Sequence, residues 1–149
     1  MYHDLQGEDP LHQELCDLAC SSPQLDLCHV DQLPMPLLSE ASDMFPMNWR
    51  FLATLDHSVD LYGCRDLDSR LSEREVAAVR EFEVSDAAVH CMRDNPFHGV
   101  PFLGAAWGAR LDLNGSRPLW EGAWGAMLED PLCWAGREQK GPDQDLLTK

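Results

Sequence analysis

Val59-Asp60-Leu61-Tyr62-Gly63-Cys64 is a β-rich run that ends in the polar cluster Arg65-Asp66-Leu67-Asp68-Ser69-Arg70. The pattern predicts a strand that delivers charged side chains at its C-terminal end, the usual place for chemistry in an α/β sheet. Ser72 then reads as a helix N-cap, with Glu75 completing a capping box that opens a predicted helix from Glu73 to Glu83. Val76, Val79 and Phe82 form its apolar stripe. The order repeats: Ala87 to Met92 predicts a second strand, which runs into Arg93-Asp94-Asn95-Pro96-Phe97-His98-Gly99. Strand, polar loop and helix in this succession predict an α/β fold with a mixed sheet and flanking helices.

Upstream, Asp9-Pro10 introduces Leu11, Leu15 and Leu18 at helical spacing, and Ser21-Ser22-Pro23 stops that helix. Leu25 to Val30 alternates apolar and polar residues as a short strand would, before Pro34 and Pro36 open a loop. A further helix is predicted from Asn48 to Leu55, after Pro46. Downstream, Pro101 to Arg110 is rich in Gly and Ala around Trp107, and Leu119 to Leu128 reads as a helix with Trp120 and Trp124 one turn apart. Ala-Trp-Gly-Ala occurs at Ala106 to Ala109 and again at Ala123 to Ala126, too short a match to establish a repeat. The segment from Gly141 to Leu147 reads as a loop and then the start of a helix.

The chain has 149 residues, which fits one domain over 1–149, and 44% hydrophobic residues, enough to bury a core. Its 26 acidic residues against 11 basic ones give a net charge of -15. That balance argues against nucleic acid or an anionic membrane surface as a partner, because both are bound through clustered Lys and Arg. An anionic ligand would need a metal intermediary. No stretch approaches the roughly 18 apolar residues of a membrane span, so no direct membrane insertion is expected, and Met1 to Pro10 has no signal-peptide pattern. Six cysteines, three of them between Cys16 and Cys28, point instead to an oxidising compartment. A longer precursor would reconcile the two. The cluster Cys16-x3-Cys20-x7-Cys28-His29 has zinc-ligand residue types, but its spacing departs from zinc knuckles, so zinc ranks below a disulfide or buried thiols.

Asp66 and Asp68 flank Leu67, so in extended geometry both carboxylates face one side. Two hard oxygen ligands there suit Mg²⁺ or Mn²⁺ and leave coordination positions for a diphosphate. The plainer alternative is a solvated acidic turn with Arg65 and Arg70 as partners. No Gly-x-Ser-x-Gly elbow occurs, and Cys28 and His29, as neighbours on a strand, point to opposite faces. His98 is either a turn histidine or a site residue. Trp107, Trp120, Trp124 and Trp134 suit a core, though the ring of one or two would also suit the apolar face of an acceptor sugar.

The passage resembles the metal-binding Asp-x-Asp signature of GT-A type glycosyltransferases, and more than the two aspartates match. Ser69 to Val79, Met92 to Gly99, Trp107-Gly108-Ala109 and the terminal Gly-Pro-Asp-Gln-Asp-Leu-Leu look like a family of nucleotide-sugar transferases found in bacteria and animals. Asp143-Gln144-Asp145 is also similar to a segment of glycogenin-like retaining transferases, which leans towards retention of stereochemistry. The resemblance covers nearly the whole chain, through motifs that are short but ordered. It implies a partial GT-A fold and transfer of a sugar from a nucleotide-sugar donor to a glycan, protein or lipid acceptor.

By the same resemblance Asp66 and Asp68 ligate Mn²⁺ or Mg²⁺ on the donor diphosphate, with Arg65 and Arg93 beside the donor. Arg93, Asp94 and His98 lie near the sugar or acceptor, and Asp143 and Gln144 approach the donor sugar from the opposite side. Animal members imply a secretory-pathway lumen or secretion, which favours a disulfide among Cys16, Cys20 and Cys28. Family members also carry an upstream nucleoside-binding strand and helix and a downstream His-Asp-Ser-Tyr type segment, so the chain reads as a fragment. Two competing expectations follow: a truncated, non-catalytic transferase-like domain, and a metal-dependent phosphohydrolase using Asp66, Asp68, Asp94 and His98.

Overall fold

A computed structural model describes residues 1–33, 41–93, 96, 98–135 and 141–149. The fold is mixed α/β, built on two small sheets. In the first, β1 (Tyr2–His3) pairs in parallel with β2 (Cys28–His29), setting His3 opposite His29. Helix α1 (Pro10–Ser21) connects them and is capped as its sequence dictates, the Asp9 carboxylate accepting the Leu11 N–H at 2.9 Å. Its apolar stripe is not buried, since Leu11 and Leu18 are exposed. The strand expected from Leu25 to Val30 is cut to two residues, because the His29 ring accepts the Asp31 N–H and starts a 3₁₀ turn at Val30. The loop expected at Pro34 and Pro36 lies outside the described residues.

The second sheet positions the site. It has three strands in the order β3 (Leu61–Arg65), β5 (Ala106–Arg110), β4 (Val89–Cys91), and β5 is antiparallel to both neighbours. Strands β3 and β4 therefore run the same way on either side of β5. Their C-terminal ends, at Arg65 and Met92, meet the start of β5 at Ala106, so the loop after β3 and the connection from β4 to β5 lie together at one end of the sheet. The sequence expected β3 and β4 but assigned no element to β5. Gly108 explains the small residues there: a Cβ at that position would stand 2.7 Å from the Tyr62 carbonyl oxygen and 3.4 Å from the Phe82 ring.

Helix α2 (Glu73–Glu83) has the expected bounds, with Ser72 Oγ accepting the Glu75 N–H at 3.2 Å. Of its stripe only Phe82 is buried, and Val79 is exposed. The segment after Pro46 coils as a 3₁₀ helix, Pro46–Leu55, rather than an α-helix. It buries Asn48, Trp49, Phe51, Leu52, Thr54 and Leu55. Helix α3 (Ser116–Glu129) packs on it, Trp124 Nε1 donating to Thr54 Oγ1 at 2.7 Å. Trp107 is buried and stacks on Trp120 at 5.2 Å between centroids, which makes both part of the core, whereas Trp134 is exposed. The two Ala-Trp-Gly-Ala segments lie in β5 and in α3, so they share letters and not structure.

Two arginines brace the opposite end of the second sheet by donating to backbone carbonyls. Arg110 Nη1 reaches Glu83 O at 3.0 Å, and Arg117 reaches Asp56 O at 3.0 Å and Val59 O at 2.7 Å. A last helix, α4 (Pro142–Leu147), buries Asp143 and Leu146. All six cysteines are free thiols in this structure, including the three for which a disulfide was expected. Among the described residues no helix is long and apolar enough to cross a membrane.

Candidate functional site

Where β3 ends, the backbone turns, and the Ser69 N–H returns to Asp66 O at 3.3 Å. This turn overrides the extended geometry expected for the acidic pair. Asp66 and Asp68 consequently have different surroundings: both line an open cleft of about 960 Å³, but only Asp66 also lines a smaller polar cavity of about 370 Å³. The two spaces share Met47, Arg50 and Asp66. Both volumes fall in the range of roughly 300–1,000 Å³ typical of small-molecule sites.

The small cavity gathers residues remote in sequence: Arg50, Asp66, His98, Gly104, Asp143 and Gln144 all line it. Three come from the loops at the shared sheet end, Asp143 and Gln144 from α4, and Arg50 from the 3₁₀ helix. Side chains three residues apart share a face of a 3₁₀ helix, which is why Met47, Arg50 and Ala53 line the large cleft together while Phe51, Leu52 and Leu55 enter the core.

Gly104 is the centre of the polar network. Its carbonyl accepts from Arg50 Nη1 at 3.1 Å and from the Cys64 thiol at 2.9 Å, and its N–H donates to Gln144 Oε1 at 2.8 Å. Gln144 Nε2 donates in turn to Phe102 O. Gln144, expected beside the donor sugar, thus spends its amide holding the 102–104 backbone, and we assign it to positioning. Burial pushes the Cys64 thiol pKa up, so the thiol keeps the proton that it donates to Gly104. Burial likewise raises that of Tyr62, whose hydroxyl donates to Arg50 O at 2.8 Å and fixes the backbone from which Arg50 extends.

Asp143 is buried against Gly104, where an added Cβ would lie 3.0 Å from Asp143 Oδ2. His98 lines the cavity, and its Nδ1 is buried with no hydrogen-bond partner among the described residues. Asp66 Oδ1 accepts from Arg50 Nη1 at 3.1 Å. Arg65, expected beside the donor, lines the large cleft, and its guanidinium pairs with Glu75 and donates to the Ser69 and Arg70 carbonyls, which braces the turn against α2. Arg93 is exposed and lines neither space, and Asp94 lies outside the described residues.

The sequence reading missed Arg50 and Gly104. Arg50 is a lone cation in an apolar segment, a signal readable only once the 3₁₀ face is known. Gly104 looked like one more glycine in a Gly/Ala-rich stretch. A metal finds two hard carboxylates here, and among the described residues no group of three His, Cys, Asp or Glu side chains is gathered to hold an ion. With the carboxylates of Asp66 and Asp68 on the large cleft, an Mg²⁺ or Mn²⁺ ion there would need a ligand's phosphates to complete its coordination. No family model, curated protein or solved structure matches the chain.

Proposed function

We propose that the chain binds a nucleotide-sugar donor at this site and belongs to a metal-dependent sugar-transfer activity, the large cleft taking the nucleoside and the small cavity the sugar. One observation carries this reading: Asp66, His98, Asp143 and Gln144, singled out from separate motifs, line one cavity that opens beside a larger cleft at Asp66. Asp66 and Asp68 would hold Mn²⁺ or Mg²⁺, which supplies charge stabilisation to the departing diphosphate. Asp143 would face the sugar from across the cavity, kept in place by the Gly104 backbone. His98 would stand beside the sugar or acceptor. Arg65 and Gln144 hold the backbone around these groups.

Calorimetric titration with UDP and GDP, with Mn²⁺ and then with EDTA, tests the reading without knowledge of the acceptor. Metal-dependent binding that disappears in the Asp66→Asn, Asp68→Asn double variant is the expected result. Equal binding by that variant, or none by the folded wild-type chain, rejects it. Phosphate release from simple esters without preference for a sugar nucleotide would favour hydrolysis over transfer.

A further inference from the structure

Arg50 stands where the small cavity and the large cleft meet, and no motif pointed to it. Among the described residues its guanidinium is only partly committed: Nη1 serves Asp66 Oδ1 and Gly104 O, both at 3.1 Å, while Nη2 meets the Met47 sulfur at 3.6 Å, a weak acceptor. Guanidinium forks match phosphate oxygens in pairs, a geometry that a thioether does not satisfy. The Asp66 side chain is 47% exposed, so the ion pair is one that solvent screens and a ligand can exchange. In a chain of net charge -15, an anion needs such a local cation to enter at all.

Resting on the donor-site reading above, we propose that Arg50 is the diphosphate-binding residue of this site, and that it and a divalent cation compete for Asp66. Without ligand, Arg50 neutralises Asp66. A cation on the Asp66 carboxylate takes over that task and releases the guanidinium to the phosphate oxygens. Cation and diphosphate therefore favour one another through the exchange of a single ion pair, and the coupling is reciprocal.

The test uses the full chain, with inorganic diphosphate and Mn²⁺ as separate probes and a thermal melt to check folding. Inorganic diphosphate in EDTA should bind the wild type, and Arg50→Gln should weaken it at least tenfold. Mn²⁺ alone, followed by electron paramagnetic resonance, should bind Arg50→Gln several-fold more tightly than wild type, a change that a merely structural arginine would not produce. Asp66→Asn should lose Mn²⁺ yet keep or improve metal-free diphosphate binding. Unchanged diphosphate affinity in Arg50→Gln, unchanged Mn²⁺ affinity, or no diphosphate binding by the folded wild type would overturn the proposal. If Arg50→Gln does not fold, Arg50→Lys decides through the same two titrations, since it keeps the charge and loses the fork. Diphosphate held through Arg50 by a chain that takes no nucleotide would sink the donor-site reading and leave Arg50 in its role.

Discussion

Gly104 and Asp143 are packed so closely that a methyl group on the first would stand 3.0 Å from Oδ2 of the second. The contact is with the tip of a side chain, so Gly104→Ala forces Asp143 to turn and leaves the fold intact. The expected cost is about 1 kcal/mol in urea unfolding, with a clear loss of ligand affinity by calorimetry. Full affinity in a stable Gly104→Ala protein would show that the Asp143 position is irrelevant to binding.

Gly108 presents the opposite case. Its added Cβ meets the Tyr62 backbone oxygen at 2.7 Å, and backbone in the middle of a sheet has no rotamer to escape into. Gly108→Ala should cost about 3 kcal/mol, as overpacking does when strands must part. A denaturant midpoint equal to that of wild type would contradict the β3–β5 register.

His3 gives stability a pH dependence. Burial, then the neighbouring His29 and His12 and the N-terminus, lower its pKa below the ordinary histidine value of 6.5, with Asp4 opposing them. An unfolded His3 takes up a proton near 6.5 while the folded one resists. Stability is therefore complete above that value and falls as the pH drops through it, until folded His3 is itself protonated. Urea midpoints between about pH 5 and 8 should decline on the acid side, and His3→Leu should flatten the decline.

The cysteines make a kinetic prediction. Cys20 is exposed, whereas Cys64 and Cys133 are buried, and burial followed by Asp130 pushes the Cys133 thiol up to about 11. The thiolate is the reactive form, so a native thiol titration should modify Cys20 fast and Cys64 and Cys133 only on unfolding. Fewer than six thiols after denaturation without reductant would restore the disulfide expected from the sequence.

What could be read from the sequence was whatever depended on neighbours along the chain. The Ser72 cap and the bounds of α2 are local, and so is the break at Ser22-Pro23. β5 was not legible, because Gly108 and Ala109 are small on account of strands that pack on them from elsewhere. The 3₁₀ winding after Pro46 is set by burial of Trp49, Phe51 and Leu52, which no periodicity count separates from an α-helix. At the site, Asp66, His98 and Asp143 carried a chemical signal of their own. The role of Gln144 did not, since an amide shows its task only when its partners, Gly104 N and Phe102 O, are seen. The partners of Arg65 were equally hidden, since its guanidinium reaches Glu75 and two carbonyls while the residue lines the large cleft.

Strands β3 and β4 flank an oppositely directed β5, so every loop with a cavity-lining carboxylate or histidine in this sheet leaves one end, while Arg110 and Arg117 clamp the other. Mechanical support and chemistry are thereby assigned to opposite poles. The residues between Asp66 and Arg70, and between His98 and Gly104, can change in kind or number without disturbing the clamps, which makes the sheet a chassis on which ligand preference is free to diverge.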